Sequence, residues 1–279
     1  MAWAVQIGYT SPTLRSLGIS DSDLSYAWLA APITGIFIQP LVGVWSDLCA
    51  SPLGRRRPFL LAGTVLSVCG LIAFSNAQEI GDSIGGTGDS GQAWGLGIAL
   101  VAMWMLDAAI NMAQGPQRAL LTDVVPPGDI ALGNAFFAAN NGVGKALGYG
   151  LGALSPFRAR SESGQVRALY SIAAVAAAAT MAVTCFTTRE RRQRPPPRGS
   201  AESAAGATVG AGGGRARQCG AGFRTIVRGA LRLPPPIVRA FITQFWAYFA
   251  WFAVFIYGST VREGSCKCWD LGLRPDYMK

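Results

Sequence analysis

Ala93-Trp-Gly-Leu-Gly-Ile-Ala-Leu-Val-Ala-Met-Trp-Met-Leu-Asp-Ala-Ala-Ile-Asn-Met-Ala-Gln114 carries a single charged side chain, Asp107. Coiled as an α-helix, this run would rise about 33 Å, enough to cross the roughly 30 Å hydrocarbon core of a bilayer. Asp107, Asn111, Gln114 and, just past the run, Arg118 are spaced i, i+4, i+7, i+11, which sets all four on one helix face. A polar stripe on an apolar helix is a strong signal, because ionisable groups at membrane depth are costly and commonly functional. Asp107 and Arg118 lie about 16 Å apart along the axis, too far to pair in a straight helix. Pro116 is expected to bend the helix, since it removes a backbone donor and crowds the preceding turn.

Further apolar stretches lie on both sides. Candidate spans cover 2–17 (short and weak), 25–46, 58–76, 93–114, 130–154, 168–187 and 237–258. The chain therefore reads as an all-α, polytopic membrane protein. Composition agrees: 51% of its 279 residues are apolar and 14% charged, against roughly 25% charged in an average soluble domain. The formal net charge of +9 could suggest nucleic acid, but ten of the arginines fall between Arg189 and Arg232. A polybasic loop is what the positive-inside rule expects of a cytoplasmic segment, so no nucleic-acid partner is expected. Loops 48–57, with Arg55, Arg56 and Arg57, and 188–236 are placed in the cytoplasm. The turn-rich, acidic loop 77–92 is placed outside. The loop 155–167, with Arg158, Arg160 and Arg167, dissents. Residues 195–222 are rich in Pro, Gly, Ala and Ser and read as a disordered linker.

Several chemistries are excluded at this stage. With no histidine, Ser-His-Asp triads and histidine-ligated zinc hydrolases are out of reach. Cys266-x-Cys268 lacks two further ligands, so no metal site is expected. No nucleophile–base pair or phosphate loop stands out, and an enzyme is not expected. Met1-Ala-Trp-Ala-Val has no basic n-region, so no signal peptide is expected.

Two readings of the stripe stay open. In one, Asp107 is a titrating carboxylate in a wet cavity, with a guanidinium nearer the cytoplasm, and a change of surroundings loads or releases its proton. In the other, Asp107 and Asn111 only hydrogen-bond neighbouring helices, and Arg118 is a cytoplasmic anchor. The fifth span adds Asn134, Asn141 and Lys145 on one face. Lys145 is either a second cavity charge or a snorkelling residue. Gly144-x3-Gly148-x3-Gly152 is a small-residue track that lets helices approach closely. Gln6 in the first span and Gln39 in the second are weaker candidates, since such residues more often make packing hydrogen bonds than bind a ligand. The aromatics of 237–258, such as Phe241, Phe245, Trp246 and Trp251, suit helix packing and the lipid interface as well as sugar stacking.

Gly43-Val-Trp-Ser-Asp47 followed by Gly54-Arg-Arg-Arg-Pro58 resembles the loop signature of the major facilitator superfamily. The wider strings beginning at Gly35 and at Leu106 (Leu-Asp-Ala-Ala-Ile-Asn-Met-Ala-Gln-Gly-Pro-Gln-Arg, then Thr122-Asp123), with Asn134-Ala-Phe-Phe and Gly148-Tyr, resemble the plant sucrose–proton symporters, a glycoside:cation symporter family. The resemblance spans most of 1–187 and, more faintly, 233–263. It implies the N-terminal six-helix bundle of that superfamily (1–187, first helix clipped), a basic cytoplasmic loop (188–236), a seventh helix (237–258) and a tail (259–279) unlike the family. It also implies proton-coupled uptake of sucrose or a related glycoside by alternating access, without a cofactor and with the proton as coupling ion. Asp107 would carry the proton. Arg118, with Asn111, Gln114, Asn141 and Lys145, would serve substrate binding or coupling. Gly43, Asp47, Gly54, Arg55, Arg56 and Arg57 would make up the gate-loop motif, in which Asp47 with Arg55 and Arg56 would form a cytoplasmic charge-relay latch. The plasma membrane is the expected site, with the vacuolar membrane as alternative. Leu48 and Lys145 depart from the family pattern. The family has about twelve helices, so the chain is expected to be incomplete. It then competes with a truncated, non-transporting partner or sugar sensor, or with a transporter of maltose or glucose.

Overall fold

A computed structural model describes residues 1–49, 51–154, 162–188, 235–236, 238–239 and 242–247. The elements are α1 (Ala2–Ser16), α2 (Asp21–Ala27), α3 (Ala30–Leu48), α4 (Arg57–Ser75), α5 (Ala77–Gly85), α6 (Asp89–Val124), a 3-10 turn (Pro127–Asp129), α7 (Ile130–Ala153) and α8 (Glu162–Thr187). No strand occurs among the described residues, in agreement with the all-α fold class. Four stretches among them are long and apolar enough to cross a membrane: Asp21–Asp47, Arg57–Ser75, Asp89–Val124 and Ser163–Thr187. The linker 195–222, the tail 259–279 and most of the seventh span lie outside the described residues. Of that span, Phe245 and Trp246 pack edge to face at 5.5 Å.

α6 is the spine. Its 36 residues reach about 54 Å, so both ends project past the hydrocarbon layer. It runs through Pro116, which is buried, without a break in the helix. α4 lies against it along a face of small residues, Gly63, Ser67 and Gly70. A Cβ at Gly63 would sit 3.0 Å from the Ala109 carbonyl oxygen, and one at Gly70 would sit 3.3 Å from that of Ala102. Side chains there would force the two backbones apart. α8 packs on the far side of α4, where Phe74 and Tyr170 stack at 5.2 Å. α1 closes the group by resting on α7 and α8. The small-residue track of α7 seats it: a Cβ at Gly148 would come within 2.8 Å of the Ala4 methyl, and Gly152 abuts the Tyr9 ring. One core runs through these elements, from Val5 and Leu14 of α1 to Met103 and Leu106 of α6 and Leu169 of α8. Large apolar side chains such as Ile36, Phe37, Val65, Val101, Val175 and Phe186 point outward. For a chain in lipid that is the ordinary arrangement, since the hydrocarbon is as apolar as they are.

Three sequence-based boundaries shift. The stretch 77–92 is not all turn: 77–85 is α5, folded back on α6. Gly81, Gly85, Gly91 and Gly95 let the two backbones touch, with a would-be Cβ at Gly81 only 2.5 Å from the Gly91 carbonyl oxygen. Glycines that look like turn signals are here the price of close packing. The stretch 25–46 is two helices interrupted at Trp28–Leu29, where the indole N–H of Trp28 donates to Ser11 Oγ at 3.1 Å. Arg167 belongs to α8 rather than to a loop, and it pairs with Glu79 of α5.

Candidate functional site

The stripe on α6 divides between two neighbours. Asp107 turns to α1: Gln6 Nε2 donates to Asp107 Oδ1 at 2.9 Å, and both side chains are buried, at 1% and 3% exposure. No arginine or lysine pairs with Asp107, and its Oδ2 is buried without a hydrogen-bond partner among the described residues. Four residues along α1, Thr10 Oγ1 lies 3.0 Å from Tyr170 Oη of α8, again fully buried. The interior face of α1 is therefore polar at Gln6, Thr10 and Ser11: Gln6 meets α6, Thr10 meets α8, and Ser11 meets Trp28 in the break between α2 and α3.

Asn111 and Gln114 turn to α3. Gln39 Nε2 donates to Asn111 Oδ1 at 2.7 Å and to Gln114 Oε1 at 3.3 Å. Asn111 Nδ2 donates to Thr34 Oγ1 at 2.9 Å and to the Asp107 carbonyl oxygen at 3.0 Å. Thr34 in turn donates to its own helix at Ala30, so the chain of bonds ends on the backbone. This amide cluster is half-buried, and its neutral dipoles can orient a polyhydroxyl solute while costing less to desolvate than charges would. Gly35 belongs to the same contact, since a Cβ there would lie 3.5 Å from Asn111 Oδ1.

Other residues singled out from the sequence stand apart. Arg118 is exposed and makes no hydrogen bond or ion pair among the described residues. Asn134 and Asn141 are exposed on α7. Lys145 is half-buried, with its ammonium 4.9 Å above the Trp3 ring of α1, a cation–π arrangement. α7 touches α6 only sparsely, so the structure does not join these side chains to the Asp107 stripe.

At the opposite end of α3 and α6 from the α5 hairpin, the charges do pair. Arg56, 7% exposed, reaches Asp47 at 2.7 Å, Ser46 Oγ at 2.6 Å and Asp123 at 3.3 Å. Arg55 reaches Asp123 at 2.8 Å. Gly54 sits at φ +111°, a conformation that side chains disfavour, and so turns the two arginines back onto the helix ends. Arg57 opens α4. Nothing lies within 4 Å of a Cβ built on Gly43, so no packing reason for that glycine is visible among the described residues. Asp123, the shared anion, stands outside the site residues that the sequence points to; its mark is an acid in the last turn of α6, which the fold sets beside Arg55 and Arg56. Thr34 was missed because a threonine in an apolar span carries no mark of its own.

A sequence profile for the Major Facilitator Superfamily matches residues 1–265. The chain belongs to that superfamily. As a major facilitator protein it is an integral membrane protein from a family of transporters rather than enzymes. Its relatives bear out the narrower resemblance to the plant sucrose transport family. It is 40% identical over 157 residues to Sucrose transport protein SUT4 of Oryza sativa subsp. indica, covering 54% of this chain and 26% of that protein. It is 37% identical over 157 residues to Sucrose transport protein SUC3 of Arabidopsis thaliana, with the same two coverages. It is 38% identical over 152 residues to Sucrose transport protein SUC4 of Arabidopsis thaliana, covering 54% of this chain and 30% of that protein. The chain thus spans between a quarter and a third of the length of these relatives.

Proposed function

We propose that the protein carrying this chain is a proton-coupled symporter of sucrose or a related glycoside, working by alternating access in the plasma membrane. In this reading residues 1–187 are its N-terminal six-helix half, 188–236 a cytoplasmic loop and 237–258 its seventh helix. The observation that carries the proposal is the state of Asp107: a carboxyl group buried at mid-helix whose partner is a neutral amide. A group without a counter-cation has the proton as its means of becoming neutral, and a site that gains and loses a proton is what coupling needs. The amide cluster of Gln39, Asn111 and Gln114 supplies the uncharged hydrogen-bonding groups that suit a sugar. Arg118, Asn141 and Lys145 supply further polar groups that a rearrangement of the helices brings to it. The names of the relatives favour sucrose as the first sugar to try.

The test is uptake of radiolabelled sucrose by proteoliposomes containing the full protein that carries this chain, driven by an inward proton gradient. Accumulation above the equilibrium level in the wild type, lost in Asp107→Asn, is the expected result. Accumulation in Asp107→Asn at the wild-type level would remove the proposed proton role. Sucrose binding with no accumulation in the wild type would favour a sugar sensor instead. A panel with maltose and glucose in place of sucrose fixes the substrate.

A further inference from the structure

Gln6 and Asp107 each leave one buried oxygen unused. Gln6 Nε2 donates to Asp107 Oδ1, but Gln6 Oε1 and Asp107 Oδ2 have no hydrogen-bond partner among the described residues and are closed off from solvent. In an ionised Asp107 both of these atoms are acceptors, so neither can satisfy the other. A buried acceptor left unpaired costs about 1–3 kcal/mol, and two of them in one contact is unusual for a folded interior. Adding one proton to Oδ2 changes the inventory: the carboxyl group becomes a donor, and an acid–amide pair can close a ring of two hydrogen bonds.

We infer that Gln6 is the positioning residue of the proton site: its carboxamide closes a two-bond ring with protonated Asp107 and clamps α1 to α6 while the proton is bound. The inference rests on the symport reading above and names a partner for its proton-carrying group. The step is a simple protonation, in which one O–H bond forms at Oδ2 and the carboxylate becomes neutral. Release of the proton leaves one bond and two unpaired acceptors, which loosens α1 from α6. α1 is suited to respond, because its contact with α6 is slight compared with those it makes to α7 and α8.

Among the described residues, Gln6 is the side chain that hydrogen-bonds the Asp107 carboxyl group. α8 presents Tyr170, whose hydroxyl is held by Thr10. α4 presents Gly63, Ser67 and Gly70, none of them ionisable. α3 presents Thr34 and Gln39, both engaged with Asn111. α7 carries Lys145, which is held over Trp3. On α6 itself Arg118 is eleven residues away and exposed.

Infrared difference spectroscopy of the full protein in liposomes, on a pH jump, tests this directly. The Asp107 carboxyl C=O band is assigned by its loss in Asp107→Asn. In the wild type it should fall at the low-frequency side of the protonated-carboxyl region, as a doubly hydrogen-bonded acid does. In Gln6→Met, close in volume but without the amide, it should move upward. In the same variant gradient-driven sucrose uptake should fall about fivefold, the factor one net hydrogen bond is worth, with sucrose counterflow, which needs no net proton release, unchanged. A high-frequency wild-type band, an unmoved band in Gln6→Met, or uptake and counterflow falling in parallel would each overturn the inference. Should Gln6→Met not fold, the wild-type band and Gln6→Asn, which keeps the amide but shortens its reach, still decide. If no band is assignable to Asp107 and Asp107→Asn accumulates sucrose, the symport reading itself fails; if Asp107→Asn fails to accumulate but the band ignores Gln6, only the present inference does.

Discussion

Asp107 and Asp123 lie on the same helix, sixteen residues and about 24 Å apart, and the protein treats them in opposite ways. Asp123, at the helix end, is 30% exposed and gathers two guanidinium groups. Asp107, at the middle, is buried and receives one neutral amide hydrogen. The difference follows from the solvent at each depth. Near the interface water shares the cost of holding charges together, so carboxylate and guanidinium pair cheaply and fix the ends of α3, α4 and α6. In the interior a permanent ion pair would carry a large desolvation cost, and a carboxyl group with a neutral partner keeps the option of being neutral. One end of α6 holds its charges in pairs, and its centre, in the proposed symport reading, is the part that changes charge.

The largest expected effect breaks the changeable centre. Asp107→Asn preserves size and the bond from Gln6 but removes the protonatable group. Gradient-driven sucrose accumulation in proteoliposomes should drop by about 100-fold or more, the lower range of what a positioned proton-transfer group supplies, while the thermal midpoint stays close to that of the wild type. A next, smaller effect displaces the partner rather than the acid. Gly148→Val puts a side chain where α1 must sit, within 2.8 Å of the Ala4 methyl. Overpacking of this kind costs about 1–3 kcal/mol, so the thermal midpoint in detergent should fall by several degrees, and accumulation should fall with it because Gln6 rides on α1. A stable Gly148→Val with full uptake would mean that α1 does not need this seat.

The sequence made some of this contrast visible and hid the rest for definite reasons. Hydropathy located the long apolar helices, since each must present apolar surface to lipid over a fixed length, and the 3.6-residue period placed Asp107, Asn111, Gln114 and Arg118 on one face. Period says nothing about which neighbour each will meet. That Asp107 turns to Gln6 of α1 while Asn111 turns to Gln39 of α3 depends on how α1 and α3 flank α6, a tertiary fact set by Gly148, Gly152 and Gly35. Gln6 and Gln39 were legible as polar residues in apolar spans, but not as partners. α5 was hidden because Gly81 and Gly85 are turn-formers by local rules and become helix-packing residues only once α6 lies against them. The basic loop announced Arg55 and Arg56, whereas Asp123 needed the fold to bring the end of α6 back to them.

The charged end yields the two smallest effects, and they separate a buried ion from an exposed one. Arg56 is buried and holds Asp47, Ser46 and Asp123 together, so Arg56→Ala removes several charge-assisted bonds at once and should cost about 1–2 kcal/mol. The figure stays modest because Asp47 and Asp123 remain open to water. Arg55 makes its bond to Asp123 with a quarter of its side chain exposed. Arg55→Ala should cost less than about 1 kcal/mol. Salt distinguishes the two further. Raising ionic strength screens the solvent-facing Arg55 pair and leaves the Arg56 cluster largely intact, so the difference in thermal midpoint between wild type and Arg55→Ala should vanish in high salt, while that for Arg56→Ala should persist. Equal loss of both differences would mean that Arg56 is as open to solvent as its neighbour, and the division of α6 into a fixed end and a changeable centre would lose its structural basis.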